Sequence, residues 1–207
     1  GLNLKELIEA DKDEVLKIFN SLSDLLTSIR KFPGPTFSII SGHAIAGGCL
    51  LALSCDYRYG VFGLHRMGLN EMAISLDLPL PILSIIEQSI GRENLFEVAT
   101  QCKLYLPWQA KKYGLVNEYI SNPFIGKRIA VNKALDSAKK LAKFYINAGE
   151  PFCRLKQSLN FGTDIGSCVF NDAINLSVKS TSQSTALHFN SSSADITDSR
   201  ICIFCKR

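Results

Sequence analysis

The sequence predicts an α/β fold in which helices connect the strands of a largely parallel sheet. Helical and short strand-like segments alternate through the first 120 of the 207 residues, whereas the pattern is helical from residue 127 onward. With 46% hydrophobic and 20% charged residues, the chain has the composition of a globular protein and not of a disordered one. We therefore expect a core over residues 1–122 and a C-terminal helical region over residues 123–207.

The first part of the chain reads as helix, strand, glycine turn and helix. Asp11 and Glu14 form a capping-box pattern, and apolar residues then recur at helical spacing until the sequence FPGP ends the run. The β-branched stretch Thr36 to Ser41 predicts a buried strand. The helix expected from Gly47 has no polar face, so it should be buried.

Shorter elements are expected between residues 57 and 120. The stretch YRYGVFGLHRMGLNE favours short strands or loops, and PLPILSIIEQSIG predicts a helix that ends at Gly91. RENLFEVATQC predicts another helix. PWQAKKYGLVNEYI predicts a short helix, a cap at Gly114 and a strand from Leu115 to Tyr119.

The pattern is helical after residue 126. It covers KRIAVNKALDSAKKLAKFYINAG, then PFCRLKQSLNFG, then a segment from Ser167 to about Leu187. The breaks are expected in the stretch SLNFGTDIGS.

Composition excludes several classes of protein. The net charge of +4 is modest and the basic residues are dispersed, which argues against a nucleic-acid-binding protein but allows an anionic small ligand. No apolar stretch approaches the length needed to span a bilayer. The seven cysteines are an odd number and lie mostly in apolar segments, as reduced thiols of an intracellular protein do. The CxxC of Cys202 and Cys205 has no second pair, so no zinc site is predicted.

The glycine turn Gly47-Gly48 is the most informative local feature. A strand that runs into a helix through small residues points free N–H groups and the positive end of the helix dipole outward, which favours negative charge. A phosphate loop would normally continue with Lys and Ser or Thr, but Cys49, Leu50 and Leu51 follow here. This favours an oxyanion that forms during a reaction. Close packing of the helix on the strand explains the glycines equally well.

Four ordered motifs give the sequence a family resemblance. SGHAIAGGCLLALSCDYR resembles the signature of the crotonase superfamily of enoyl-CoA hydratases and isomerases, and GLNLKEL, GLNE and PWQAKKYGLVNEYI occur in the family's order. The tail SADITDSRICIF is similar to the helix that ends such chains. The resemblance implies a crotonase-type ββα spiral, truncated at its N-terminus because family members begin with several strands before GLNLKEL. It also implies that the C-terminal helical region mediates trimer assembly.

Within this superfamily the sequence is most similar to Δ3,Δ2-enoyl-CoA isomerases. Leu50 stands where hydratases carry a catalytic Glu, and Glu71 stands at the remaining acid position. The resemblance therefore implies isomerisation of 3-enoyl-CoA to trans-2-enoyl-CoA in fatty-acid β-oxidation. The alternatives are a hydratase or other acyl-CoA enzyme of the superfamily, and a non-catalytic protein that binds acyl-CoA or another subunit.

The resemblance also assigns roles to residues of this chain. Glu71 is the expected catalytic base, and the backbone N–H groups of Leu2 and Gly47 are the expected oxyanion hole. The expected substrate-binding residues are Gly1, Asn3, Leu4, Lys5, Leu50 and Asn70. From the residues alone, Glu71 also fits a solvated turn position, and Leu50 also fits a simple core position.

The neighbours of Glu71 carry further expectations. Met67, Leu69, Met72 and Ile74 are expected to form an apolar wall that raises its pKa. Ser75 stands where the family usually has Gly, and Asp77 introduces a charge where an apolar residue is common. Asp77 is expected to perturb Glu71 or to narrow the acyl pocket.

The expected cofactors, assembly and cellular location follow from the same resemblance. No metal or redox cofactor is expected, and coenzyme A enters as part of the fatty acyl-CoA thioester substrate. The chain is expected to form a homotrimer or a hexamer, without nucleic acid and without a membrane span. The mitochondrial matrix is the expected location, with the peroxisome as the alternative.

Overall fold

The computed structural model describes residues 4–160, 194–198 and 201–205. Within them the α-helices are α1 (Leu4–Glu9), α2 (Lys12–Lys31), α3 (Gly47–Leu53), α4 (Leu80–Ile90), α5 (Arg92–Thr100), α6 (Pro107–Lys112) and α7 (Gly126–Leu159). The strands are β1 (Thr36–Ile40), β2 (Ala44–Ile45), β3 (Tyr57–Val61), β4 (Met67–Gly68), β5 (Glu118–Ile120), β6 (Ala194–Asp198) and β7 (Ile201–Cys205). The predicted α/β class is confirmed.

The main sheet has the strand order β5-β3-β1-β7-β6. Strands β5, β3, β1 and β7 are mutually parallel, and β6 pairs antiparallel with β7. A separate two-stranded parallel ladder joins β2 to β4. Because the carboxyl ends of parallel strands meet at one edge, the segments that leave β1 and β3 are brought together there.

The two faces of the main sheet are covered by different helices. Ala130, Ala134 and Ala138 of α7 are fully buried against Phe37 and Ile39 of β1 and the neighbouring strands. Their i, i+4 spacing places them on one helix face, and their small side chains let α7 lie close to the sheet. On the opposite side, Ile40 belongs to the larger apolar cluster that contains residues of α2, α3 and α4. The alternation along β1 therefore separates the two clusters.

Helix α2 begins as its sequence predicts. The Asp11 carboxylate accepts the Glu14 backbone N–H at 2.9 Å, and the Glu14 carboxylate accepts the Asp11 N–H at 3.3 Å. This reciprocal cap satisfies two of the N–H groups that a helix start leaves free. Val15, Phe19 and Leu26 then bury one face of the helix.

Arg58 of β3 is a buried cation that joins three segments through their carbonyl groups. Its Nε donates to the Leu115 carbonyl at 3.1 Å, and its guanidinium nitrogens donate to the carbonyls of Cys55 and Ser89, each at 3.0 Å. One nitrogen also approaches the Gly114 carbonyl at 3.5 Å. Burial lowers the pKa of Arg58. The carbonyls that follow α3 and end α4 carry negative partial charge, which suits a cation.

The end of α7 contacts the residues that precede β1 and β3 through polar groups. The buried Lys156 Nζ donates to the Asp56 carboxylate at 2.7 Å and to the Gly34 carbonyl at 2.9 Å. The same carboxylate accepts the backbone N–H of Thr36 at 2.7 Å. Residues 126–159 form one helix, which ends at Leu159, within the stretch SLNFGTDIGS where breaks are expected.

The C-terminal tail differs from the prediction. The helix expected over SADITDSRICIF is wrong, because residues 194–198 and 201–205 are strands β6 and β7. Ile201 and Ile203 are β-branched and Phe204 is aromatic, and these residue types favour strands. Strand β7 pairs with β1 from Thr36↔Cys202 to Ile39↔Cys205, so the sheet edge overrides the helical expectation. The helix expected from Ser167 to about Leu187 lies outside the described residues.

Among the residues that the structure describes, no helix is long and apolar enough to cross a membrane.

Candidate active site

The β2–β4 ladder brings the glycine turn and Glu71 to the same place. Ala44 pairs with Met67 and Ile45 pairs with Gly68, and the Ala46 N–H donates to the Gly68 carbonyl at 3.0 Å. The strands are parallel, so both chains leave the ladder at the same edge. Gly47 follows β2 by two residues and Glu71 follows β4 by three. The structure thus brings together two of the residues that the sequence predicts to act in one site.

The turn before α3 holds an unusual backbone. Ala46 has φ 52° and ψ −123°, a conformation that residues with a Cβ rarely adopt. Its carbonyl accepts the N–H groups of Cys49 at 2.7 Å and Leu50 at 3.0 Å. The N–H groups of Gly47 and Gly48 have no acceptor among the described residues, and both glycines are half-buried. These N–H groups are available to an anionic or carbonyl oxygen.

Glu71 opens a 3₁₀ turn that spans Glu71–Ile74. The Glu71 carbonyl accepts the N–H of Leu76 at 3.0 Å, and the N–H of Ser75 also points to it. Its side chain is only 4% exposed, and its Oε2 atom has no hydrogen-bond partner in the described part of the chain. Burial raises the pKa of Glu71, against a smaller opposing effect of backbone N–H groups of Glu71 and Asn70. A raised pKa makes the carboxylate a stronger base, which suits a group that takes up a proton during a reaction.

Two of the four residues expected to form an apolar wall around Glu71 are buried in the core. Met67 and Leu69 are almost completely buried and belong to the same apolar cluster as Leu50. Met72 is 55% exposed, so its predicted place in that wall is wrong. The 3₁₀ turn carries its side chain outward. Asp77 is exposed and is not among the causes of the raised Glu71 pKa, which contradicts the expected perturbation.

The other predicted site residues lie as follows. Leu50 is buried on α3, and Asn70 is half-buried directly before Glu71. Leu4 and Lys5 are in the first turn of α1. Their side chains are outside the description, as are residues Gly1, Leu2 and Asn3, so the coenzyme A contacts and the Leu2 half of the oxyanion hole stay predictions. In the described residues, no group of three His, Cys, Asp or Glu side chains is arranged to hold a metal ion.

Two residues of the site were not singled out from the sequence. Gly68 has no space for a side chain, because a Cβ there would collide with the carbonyl oxygen of Lys103. Its place directly before LNE was the only available signal. Cys49 is completely buried on α3, and the Glu71 carboxylate contributes to raising its pKa. Nothing in the sequence distinguishes Cys49 from an ordinary core thiol.

The backbone conformation of Ser75 accounts for the glycine that the family usually has at this position. It has φ 56° and ψ 31°, the left-handed conformation in which a Cβ costs about 1 kcal/mol. We expect Ser75→Gly to raise the free energy of unfolding by up to about 1 kcal/mol, as measured by urea denaturation. Ser28→Gly, in the exposed face of α2, is the control and should lower it by a similar amount. A loss of stability in Ser75→Gly would contradict this account.

Residues 1–160 match the family model described as enoyl-CoA hydratase/isomerase. The chain is 34% identical over 117 residues to an enoyl-CoA isomerase/hydratase of Mycosarcoma maydis, covering 56% of this chain and 43% of that protein. It is 28% identical over 159 residues to the mitochondrial methylglutaconyl-CoA hydratase of Mus musculus, covering 72% of this chain and 50% of that protein. It is also 28% identical over 121 residues to the mitochondrial enoyl-CoA delta isomerase 1 of Rattus norvegicus, covering 58% of this chain and 42% of that protein. The chain spans about half the length of these curated relatives.

Solved structures share the fold at low sequence identity. An enoyl-CoA hydratase/isomerase family protein from Pseudomonas syringae superposes with a TM-score of 0.68 at 23% identity, covering 87% of this chain and 73% of that one. A probable enoyl-CoA hydratase from Mycobacterium tuberculosis superposes with a TM-score of 0.68 at 20% identity, covering 84% and 69%. With the family match over residues 1–160, this chain belongs to the enoyl-CoA hydratase/isomerase family.

Proposed function

We propose that the protein converts 3-enoyl-CoA into trans-2-enoyl-CoA with Glu71 as its only catalytic base. The observation that carries the proposal is the buried Glu71 carboxylate with a free oxygen, placed at the same edge as the open N–H groups of Gly47 and Gly48. A proton acceptor and an oxyanion donor are the two groups that an enolate mechanism needs.

The proposed reaction moves one proton out and one proton back. Glu71 removes a proton from C2, and the electrons of that C–H bond form the C1–C2 double bond of an enolate. The enolate oxygen accepts hydrogen bonds from the Gly47 N–H and, by family resemblance, from the Leu2 N–H. Collapse of the enolate forms the C2–C3 double bond, and C4 takes the proton back from Glu71. Burial raises the pKa of Glu71, which makes the carboxylate a stronger base for the first step and brings its proton affinity closer to that of the enolate.

Leu50 supports isomerisation over hydration. Addition of water requires a positioned and activated water molecule, and the family's hydratases share this task between two carboxylates. By family resemblance Leu50 stands where hydratases carry the second carboxylate, and its side chain is buried. We propose that this apolar side chain excludes water from the enolate. Hydration is the second candidate because the mouse relative that matches 72% of this chain is named a methylglutaconyl-CoA hydratase.

The remaining features of the proposal rest on the family. We propose fatty-acid β-oxidation as the pathway, the mitochondrial matrix as the location and a homotrimer as the assembly. Gly1, Asn3, Leu4 and Lys5 are proposed to contact the coenzyme A part of the substrate, and Asn70 to line the acyl pocket. The mitochondrial names of two relatives support the location.

The test compares two substrates. The purified chain is given 3-hexenoyl-CoA, and the absorbance of the conjugated enoyl thioester is followed, while crotonyl-CoA reports hydration by the loss of the same absorbance. We expect isomerisation without hydration. Hydration of crotonyl-CoA without isomerisation would replace our proposal with the hydratase. Binding of either thioester by folded protein without turnover would identify a non-catalytic acyl-CoA-binding protein.

A further inference from the structure

Gly68 connects the two parts of the proposed site. Its carbonyl accepts the N–H of Ala46 at 3.0 Å, and Ala46 directly precedes Gly47. Along the chain, Gly68 ends β4 and precedes Glu71 by three residues. The separation between the Gly47 N–H and the Glu71 carboxylate therefore depends on where the backbone of Gly68 lies.

A further segment of the chain closes the other side of β4. The Met67 N–H donates to the Tyr105 carbonyl at 2.9 Å, and the Tyr105 N–H donates to the Met67 carbonyl at 2.8 Å. Tyr105 is buried, and the centroid of its ring lies 4.6 Å from that of Tyr113. Strand β4 is therefore held between β2 on one side and an anchored Tyr105 on the other.

A side chain at position 68 does not fit between these partners. Its Cβ would lie 2.4 Å from the Lys103 carbonyl oxygen, whereas real Cβ atoms essentially never come closer than 3.0 Å to such a neighbour. A backbone carbonyl cannot swing away as the end of a flexible side chain can, so β4 and Lys103 would have to move apart. Because Tyr105 is anchored in the core, we expect β4 to take up much of this shift and to carry Glu71 with it.

We propose that Gly68 is a positioning residue for Glu71. Its lack of a side chain lets β4 lie close to Lys103, and this close approach sets the distance from the base to the oxyanion donor at Gly47. The inference rests on the proposed roles of Glu71 and Gly47. A misplacement of about 1 Å lowers a reaction rate by about 10²-fold, because proton transfer requires the reacting atoms in near contact.

The first test measures the kinetics of Gly68→Ala with 3-hexenoyl-CoA. We expect kcat per folded molecule to fall by about 10-fold to 10²-fold. The KM, and the dissociation constant of the saturated analogue butanoyl-CoA measured by calorimetry, should change little, because none of the residues expected to contact coenzyme A lies on β4. A merely structural role would lower the folded fraction, which circular dichroism measures, and would leave kcat per folded molecule unchanged.

Gly60→Ala is the matched control. Gly60 is a buried glycine of β3, where a Cβ would press on the two methyl groups of Val116 at 3.2 and 3.3 Å. The substitution crowds the core without touching β4, so it should lower stability and retain kcat. A folded Gly68→Ala variant with unchanged kcat would overturn the proposal, as would equal losses of kcat in the two variants.

Amide hydrogen exchange tests the same arrangement without turnover. In the unchanged protein the N–H groups of Ala46, Met67 and Tyr105 should exchange slowly, because each donates a hydrogen bond beside Gly68. Exchange at Ala46 should be at least about tenfold faster in Gly68→Ala and unaltered in Gly60→Ala. If Gly68→Ala does not fold, fast exchange at Ala46 in the unchanged protein would overturn the proposal. If isomerisation is absent but exchange follows the expected pattern, the proposed function fails while the control of β4 by Gly68 stands.

Discussion

Glu71→Gln is expected to lower kcat for the isomerisation of 3-hexenoyl-CoA by about 10³-fold or more. General acid and base catalysis contributes about 10²–10⁴-fold to enzymatic rates, and here a single carboxylate performs both proton transfers. Gln has nearly the same shape but neither accepts nor returns the proton. The readout is the rise of the absorbance of the conjugated thioester, measured with purified enzyme.

Asp77→Asn is the matched control for this loss. It neutralises an exposed carboxylate in the segment that follows Glu71, and it should retain the kcat of the unchanged protein. A Glu71→Gln variant that is folded and keeps more than a tenth of the activity would remove Glu71 from the role of base.

The substitution Glu71→Gln should also make the protein more stable at neutral pH. Burial raises the pKa of Glu71 in the folded state, so the folded protein binds its proton more tightly than the unfolded chain does. The stabilising effect of the protonated carboxyl is complete below the unfolded pKa of about 4.3 and is lost as pH rises through the folded pKa. Glu71→Gln should therefore unfold at higher urea concentration at pH 7, and the difference should shrink toward pH 4. Such an exchange of stability for activity is common at catalytic sites.

Arg58→Met is expected to lower the free energy of unfolding by at least about 3 kcal/mol. The substitution keeps much of the buried volume but removes the donors that satisfy the carbonyls of Leu115, Cys55 and Ser89. Each buried acceptor left without a partner costs about 1–3 kcal/mol. Urea denaturation followed by circular dichroism measures the loss.

Arg66→Met provides the comparison for Arg58. Arg66 is exposed, and among the described residues its side chain makes one hydrogen bond, to the Leu104 carbonyl at 3.3 Å. Its replacement should therefore cost well under about 1 kcal/mol. Equal effects of the two substitutions would show that the carbonyl contacts of Arg58 contribute little to stability.

Local sequence patterns predicted the elements that have strong local signals. The Asp11 and Glu14 cap, the buried strand at Thr36 and the helix from Gly47 were all predicted and are all confirmed. Each depends on residues close together in sequence, such as a capping pair or a run of β-branched side chains. The α/β class followed from their order.

Features that depend on distant pairing were not predictable in the same way. The sequence of residues 194–205 was similar to a helix, but pairing with β1 makes strands of it. The left-handed backbone of Ser75 and the outward position of Met72 result from the geometry of the 3₁₀ turn, which no periodicity reveals. The approach of the glycine turn to the segment that carries Glu71 depends on the β2–β4 ladder.

The pairing of β1 with β7 has a consequence for how the chain folds. Strand β1 pairs with β7 through residues far apart in sequence, such as Thr36 and Cys202, whereas its pairing with β3 joins residues that are much closer in sequence, such as Phe37 and Tyr57. Contacts of such large sequence separation slow folding, because the entropy of closing the loop is lost before the contact is gained. During synthesis the edge of β1 that pairs with β7 therefore stays open until β7 has been made, and before that point chaperones or other nascent chains can bind to it.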